Sequence, residues 1–122
     1  MKPEQFIREF GEKKAREVVE DAPEGATHYE LNVDGDFYFK YQGFEWFCLA
    51  DGLMVRTYME DHETCHLIPL NDIKRLVESV DRVNAFGGLK DAKAVVKMGK
   101  HYKYLKAHIS NYESIYGGGD ES

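Results

Sequence analysis

The sequence is poor in cysteine, with only Cys48 and Cys65 among its 122 residues. Small secreted domains that depend on disulfides carry larger, even-numbered sets of cysteines. The N-terminal segment MKPEQFIREF becomes charged and amphipathic at once and has no apolar signal-peptide core. We therefore predict a cytoplasmic protein whose two thiols stay free, because reducing compartments disfavour disulfides.

Long hydrophobic runs are also missing, since no apolar stretch approaches the ~20 residues that cross a bilayer. We therefore predict no membrane partner. Hydrophobic residues make up 43% of the chain and charged residues 31%, a balance typical of a globular domain. The length and this balance predict a single domain over residues 1–116, followed by a disordered polar tail, GGGDES, over residues 117–122.

The sequence contains none of the short motifs that mark the common catalytic sites. There is no Gly-x-Ser-x-Gly elbow, no glycine-rich phosphate loop and no His-Glu-x-x-His motif. Cys65 has His62 and His66 nearby, but a nucleophile also needs a third group that orients its base, and the sequence offers none. We therefore predict no catalytic residues, no cofactor and no enzymatic activity.

Apolar spacing divides the first part of the chain into a helix and a sheet. Steps of three and four residues predict an N-terminal helix over residues 4–22, which Gly11 is able to divide in two. From Thr27 the pattern alternates, and turn signals at 34–35, 42–43 and 51–52 separate four aromatic-rich strands. This pattern predicts a four-stranded antiparallel meander, with residues 67–68 as an optional short edge strand.

The segment after Pro69 predicts a C-terminal group of three helices, which makes the fold class α+β. Asn71 is the expected N-cap of the first helix, and Gly87-Gly88 is its expected end. The last helix carries an apolar seam that consists of Tyr102, Leu105, Ile109, Tyr112 and Tyr116. The seam covers only about two heptads, which is too short for a coiled coil. We therefore predict that it packs into the core and that the chain is a monomer rather than a homodimer.

The net charge of −6 is concentrated in the predicted sheet. Residues 31–69 contain seven acidic and two basic side chains, whereas residues 70–122 contain seven acidic and nine basic ones. Acidic turns steer and orient a basic partner, and exposed rings hold it. We predict a protein-binding surface on the sheet that consists of Asp34, Asp36, Tyr38, Phe44, Trp46, Asp51 and Tyr58.

Nucleic-acid binding through a lysine stripe is an alternative. Lysines recur at steps of three or four from Lys90 to Lys106, and a continuous helix would align them on one face. The centre of this stripe consists of Lys93, Lys97, Lys100 and Lys103. Arginine is absent from the stripe and the whole chain is acidic, so nucleic acid remains the second interpretation.

A small zinc-containing regulator is a further alternative. The segment DHETCH contains His62, Cys65 and His66, and thiolate and imidazole are zinc ligands. A structural zinc site usually draws paired ligands from two separate segments, and the sequence supplies only one such segment. We therefore predict that this segment is a polar loop that binds no metal.

Four short segments carry a resemblance to a known group of proteins. FIREFG (6–11), APEGATHY (22–29), NDIKRLV (71–77) and NYESIYG (111–117) resemble small uncharacterised accessory proteins encoded by temperate phages and prophages of enteric bacteria. The resemblance brings no catalytic residues. It implies a phage-type protein in the cytoplasm of a bacterial host that binds or inhibits a host protein.

Overall fold

The structure is a computed structural model that describes residues 1–32, 35–99 and 103–117. These residues contain helices and a sheet, so the chain is an α+β protein, as predicted. The helices are α1 (Pro3–Phe10), α2 (Glu12–Glu20), α3 (Asp61–Thr64), α4 (Leu70–Ala85), α5 (Leu89–Met98) and α6 (Lys103–Tyr116). The strands are β1 (His28–Asn32), β2 (Gly35–Gln42), β3 (Glu45–Ala50), β4 (Leu53–Thr57) and β5 (Ile68–Pro69). Among the described helices, none combines the length and the apolar composition that crossing a bilayer requires.

The N-terminal helix is divided at Gly11, whose φ of +89° interrupts the helical geometry. Glycine adopts such a positive φ without a steric penalty. Its N–H donates to the carbonyl of Ile7 at 2.8 Å and closes the end of α1. Each half keeps an apolar face, since Phe6 of α1 and Ala15 and Val18 of α2 are buried.

The strands form one antiparallel sheet in the order β4-β3-β2-β1-β5. Two-residue turns, Gly43-Phe44 and Asp51-Gly52, join β2 to β3 and β3 to β4, and all four residues have φ between 53° and 76°. This is type I′ geometry, whose twist matches that of the strands. The turn predicted at 51–52 is confirmed. The turn predicted at 42–43 lies one residue later, at 43–44. The turn predicted at 34–35 includes residue 34, which lies outside the described residues.

The predicted four-stranded meander is extended by β5, which pairs with β1 through His28↔Pro69 and Tyr29↔Ile68. Strand β5 leads directly into α4, and the Leu70 N–H donates to the Thr27 carbonyl at 2.9 Å. A strand of two residues is too short to show an alternating apolar pattern. The sheet therefore has five strands among the described residues, and the fifth corresponds to the optional edge strand predicted at residues 67–68, shifted by one residue.

The helices pack on one face of the sheet and form two buried clusters. The larger cluster joins α1, α2, α4 and α6 to β1, β2 and β5, and Tyr29 within it is fully buried. The smaller cluster lies among the C-terminal helices and consists of Val83, Ala92, Leu105 and Ile109. The predicted burial of the apolar seam is confirmed at its two aliphatic positions, while Tyr102 lies outside the described residues.

Two polar links tie the N-terminal helices to the C-terminal ones. The Arg8 guanidinium of α1 donates to the Ile115 carbonyl at 2.6 Å, near the end of α6. Carbonyls in the last turn of a helix have no partner within the helix, so this bond satisfies one of them. Arg16 of α2 donates to both carboxylate oxygens of Asp81 in α4, a bidentate geometry that fixes the two helices in direction as well as distance.

The three predicted C-terminal helices are present, but the first begins earlier than expected. Helix α4 starts at Leu70 after Pro69, whose φ of −63° already suits a helix start, so Asn71 lies inside the first turn and is not the N-cap. Helix α4 ends before Gly87 and Gly88, which have φ of +100° and +115°, as predicted for a glycine stop. Of the predicted polar tail, residues 118–122 lie outside the described residues.

The smaller cluster allows a direct test of core packing. Leu105→Ala removes a side chain that is 5% exposed, so we expect the free energy of unfolding to fall by about 2–5 kcal/mol in urea denaturation. Leu53→Ala is the matched control, because Leu53 is 66% exposed, and its change should stay within about 0.5 kcal/mol. Equal losses in the two variants would contradict this placement of the core.

Candidate functional site

The sheet has two faces, and the strand register decides which side chains each face receives. Residues opposite each other in antiparallel strands share a face. Tyr29, Tyr38 and Leu49 lie in one row and point toward the helices. The opposite face, which we call the outer face, carries His28, Phe37, Phe39, Tyr41, Trp46, Cys48, Leu53, Val55 and Thr57. Neither buried cluster includes an outer-face residue, so both helix-packed cores exclude this face. The outer face is most open at Tyr41, Leu53 and Val55, whereas Phe39 on the same face is buried.

Aromatic rings occupy the centre of the outer face. The ring centroid of Trp46 lies 4.6 Å from that of Tyr41 and 4.8 Å, edge-on, from that of His28. Phe39, which pairs with His28 in the register, is 8% exposed, so the centre of this face is largely shielded from solvent. Burial lowers the pKa of His28, and the charge of Asp72 only partly opposes this shift. The imidazole is therefore neutral at pH 7 and adds no positive charge to the outer face.

Two further rings stand at one end of the outer face. Phe44 is 91% exposed and Tyr58 is 90% exposed. Both line a groove of about 220 Å³, together with Glu45, Trp46 and Arg56. Phe44 has a φ of +64°, in the left-handed region that costs a residue with a side chain about 1–2 kcal/mol. A bulky ring held in strained backbone and in solvent adds nothing to the core, and such strain is concentrated at binding sites.

Strand β4 is an edge of the sheet and is exposed on both of its faces. Leu53, Met54 and Val55 are each more than half exposed. Met54 points to the same side as Leu49, but the helices do not cover it. A second groove, of about 300 Å³, opens between Met54 and the turn at residues 23–24. Consecutive apolar residues on an open edge strand form a surface suited to pairing with another chain.

Carboxylates surround this apolar surface. Lys40 and Arg56 are the basic residues of segment 35–69. Arg56 lies 3.5 Å from Glu45, which compensates its charge. The exposed acidic side chains at the rim are Asp51, Glu60, Asp61 and Glu63. The rim is therefore net negative, and a negative rim attracts a basic partner.

The predicted binding residues do not all reach this surface. Trp46 lies on the outer face, and Phe44, Asp51 and Tyr58 lie at its rim. Tyr38 is instead buried on the helix-covered face, where its hydroxyl donates to the Val18 carbonyl at 2.7 Å. Burial, helped by the charges of Asp36 and Asp21, raises the pKa of Tyr38 to about 12. The prediction that Tyr38 contacts a partner is corrected, because it is a core residue; Asp34 lies outside the described residues.

Asp36, another predicted binding residue, links the sheet to α2 through hydrogen bonds of its carboxylate. The Tyr29 hydroxyl donates to its Oδ1 at 2.7 Å, and the Lys14 ammonium donates to its Oδ2 at 2.9 Å. Partial burial favours a higher pKa for Asp36, but the two hydrogen bonds outweigh burial and hold the pKa below its usual value. Both carboxylate oxygens are thus engaged within the fold.

The lysine stripe is interrupted. Helix α5 ends at Met98 and Gly99 is extended, so the chain does not form the continuous helix that would align the lysines on one face. Lys93 pairs with Glu113 of α6 at 2.7 Å. Lys97 and Lys103 are exposed on different helices, and Lys100 lies outside the described residues. The described lysines therefore do not follow one face of a single helix.

The predicted zinc candidates do not meet at one point. The possible metal ligands that come within 4.8 Å of one another among the described residues are Glu60, His62 and Glu63, a group without Cys65 or His66. The Cys65 thiol donates to the His62 carbonyl at 3.1 Å. Glu60 and Glu63 form a capping box at the start of α3. Helix capping alone accounts for the position of these two carboxylates.

Sequence reasoning missed Tyr41, His28, Leu53 and Val55 as members of this surface. Part of the signal was present, because a two-residue turn after Gln42 fixes Tyr41 opposite Trp46 and places Tyr38 on the other face. The exposure of Leu53 and Val55 has no such local signal. It depends on how far the helices extend across the sheet.

The chain matches no protein-family model, and no curated protein or solved structure is significantly similar to it. The fold and the surface define it as an α+β protein with an exposed apolar edge strand, β4, and two exposed rings beside it, Phe44 and Tyr58. Its function is therefore inferred from its own contacts, exposure and charges.

The different roles of Asp36 and Asp51 can be measured. Asp36→Asn should lower the free energy of unfolding by about 1–3 kcal/mol at pH 7, because it weakens the bonds from Tyr29 and Lys14. A carboxylate with a lowered pKa stabilises the fold only while ionised, so this difference should begin to shrink as the pH falls below about 4 and disappear only below the lowered pKa of the folded state. Asp51→Asn is the control, since asparagine also tolerates the positive φ of that turn. A loss as large in Asp51→Asn would contradict the assignment.

Proposed function

We propose that the chain is a non-enzymatic accessory protein that binds a partner protein through the outer face of its sheet and the exposed strand β4. The observation that carries the proposal is the exposed apolar surface at Phe44, Tyr58 and strand β4, where Phe44 and Tyr58 are almost fully exposed and Leu53 and Val55 are more than half exposed. Soluble monomers rarely leave a contiguous apolar patch of this kind in water unless it binds a partner.

The rings of the outer face suit the role of anchors. Trp46 is held between Tyr41 and His28, so its position is set before a partner arrives. A side chain that is already fixed loses little conformational entropy on binding. Phe44 is fixed differently, because the type I′ turn restrains its backbone. Large rings of this kind supply much of the binding energy in protein interfaces.

The charges of the rim favour a partner with a basic surface. The exposed carboxylates of Asp51, Glu60, Asp61 and Glu63 come just before and just after strand β4. Opposite charges speed the encounter and orient the two proteins, while desolvated rings slow dissociation. We therefore expect the association rate to fall as salt rises.

The partner we propose is a host protein, in keeping with the phage-type role that the four segments resemble. A basic patch on that host protein, once covered by the outer face, is no longer free to bind its own acidic ligand. The mode of action we propose is therefore inhibition by occupation of a basic site.

The proposal is tested by comparing variants in capture from a bacterial lysate. Phe44→Asn with Tyr58→Ser removes both exposed rings, and asparagine relieves the strain at φ +64°. We expect this variant to melt no lower than the wild type and to bind the captured protein at least about tenfold more weakly. The measurement is the Kd of each variant for the purified captured protein.

Lys97→Glu with Lys103→Glu is the matched control, because it changes two exposed residues outside the sheet. This variant should bind the partner as the wild type does. Equal affinity of the ring variant and the wild type would refute the proposal. Nucleic-acid binding would be favoured instead if only the lysine variant lost binding and if nuclease treatment abolished the binding of the wild type.

A further inference from the structure

The edge of strand β4 has the geometry of a strand that accepts another strand. The Asp51-Gly52 turn makes Ala50 and Leu53 the closing pair of the hairpin. In a two-residue hairpin this closing pair exchanges both of its hydrogen bonds, and the pattern then alternates along the strand. Leu53, Val55 and Thr57 therefore bond to β3. Met54 and Arg56 direct their N–H and C=O groups away from the sheet.

The side chains of the edge offer contacts on both sides of an added strand. On the outer face, Leu53 and Val55 present apolar surface. On the other side, Met54 and Leu49 line the groove of about 300 Å³. An added strand alternates its side chains between these two sides. One of its apolar side chains is thus placed beside Val55, and the next is placed in the groove.

Charges limit which segment fits this edge. Asp51 and Glu24 lie at one end of β4, next to the groove that Met54 lines. Toward the other end Glu45 and Arg56 compensate each other, and the exposed carboxylate of Glu60 supplies the remaining negative charge. The centre of the edge is apolar and both of its ends are acidic. A complementary segment is therefore apolar in the middle and basic at each end.

We infer that the partner binds by β-strand addition, with an extended segment of apolar centre and basic ends pairing along β4. This inference rests on the proposed function and specifies how the partner is recognised. Backbone hydrogen bonds to Met54 and Arg56 supply affinity. The groove beside Met54 and the acids at the two ends supply specificity.

The inference is tested on the full chain with the synthetic peptide KRVLVLVKR as the probe, which carries apolar side chains on both sides of the strand and basic residues at each end. Amide hydrogen exchange, measured residue by residue by NMR, should slow at Met54 and Arg56 by about tenfold when the peptide is at about ten times its Kd. The amides of Val55 and Thr57 should not change in this way, because they already bond to β3. The same peptide with an N-methyl group on every central residue has no amide N–H left on either edge and should give no protection.

Variants at Met54 separate the backbone from the side chain. Met54→Pro removes the outward N–H, which an edge strand tolerates, and it should abolish the protection of Arg56. Met54→Ala keeps the N–H and should retain that protection. Protection confined to other amides, or equal protection with the N-methylated peptide, would overturn strand addition.

The outcomes for the two proposals are distinguishable. If Met54→Pro still captures the lysate partner while the Phe44 and Tyr58 variant does not, the proposed function stands and strand addition at β4 falls. If the Phe44 and Tyr58 variant captures the lysate partner as the wild type does while the peptide protects Met54 and Arg56, the proposed ring surface is refuted and strand addition at β4 stands. If the chain without peptide scatters as a dimer and Met54→Pro restores the monomer, the occupant is a second copy and the inferred partner segment is wrong.

Discussion

The register of the sheet is the constraint on which the rest of the structure depends. Two type I′ turns, at Gly43-Phe44 and Asp51-Gly52, leave no freedom for the strands to slip. Tyr38 must then share a face with Leu49, and Trp46 must share the opposite face with Tyr41. A slip of one residue would expose the rings that pack under the helices and bury those that do not. The turns therefore decide which aromatic residues form the core and which remain available.

The helices complete this division by covering one face. Arg8 and Arg16 tie the N-terminal helices to α6 and α4. The bonds from Tyr29 and Lys14 to Asp36 tie the sheet to α2. These contacts lie on the covered side, and none of them requires the outer face or β4. The fold is therefore able to leave Phe44, Tyr58 and the apolar edge strand β4 in solvent, and to keep Phe44 in a strained turn, without weakening its core.

Much of the fold was predictable because its signals are local. The break at Gly11, the turn at Asp51-Gly52 and the glycine stop after α4 each follow from backbone geometry at a few residues. The site was less predictable, because it depends on distant packing. Asp36 was expected at the surface, but its partners Tyr29 and Lys14 are brought to it by tertiary structure. The lysine stripe required one continuous helix, but the chain is extended at Gly99 and α6 is a separate helix that begins at Lys103.

The most direct measurement of the central claim is hydroxyl-radical footprinting of the chain alone and in its complex with the captured partner. Tyr104 and Met98, which are exposed on α6 and α5, serve as internal references. The account predicts that Phe44, Tyr58 and Leu53 lose most of their reactivity in the complex while the references keep theirs. Protection of Tyr104 and Met98 with unchanged reactivity at Phe44 and Tyr58 would contradict it, and would place the binding surface on the C-terminal helices.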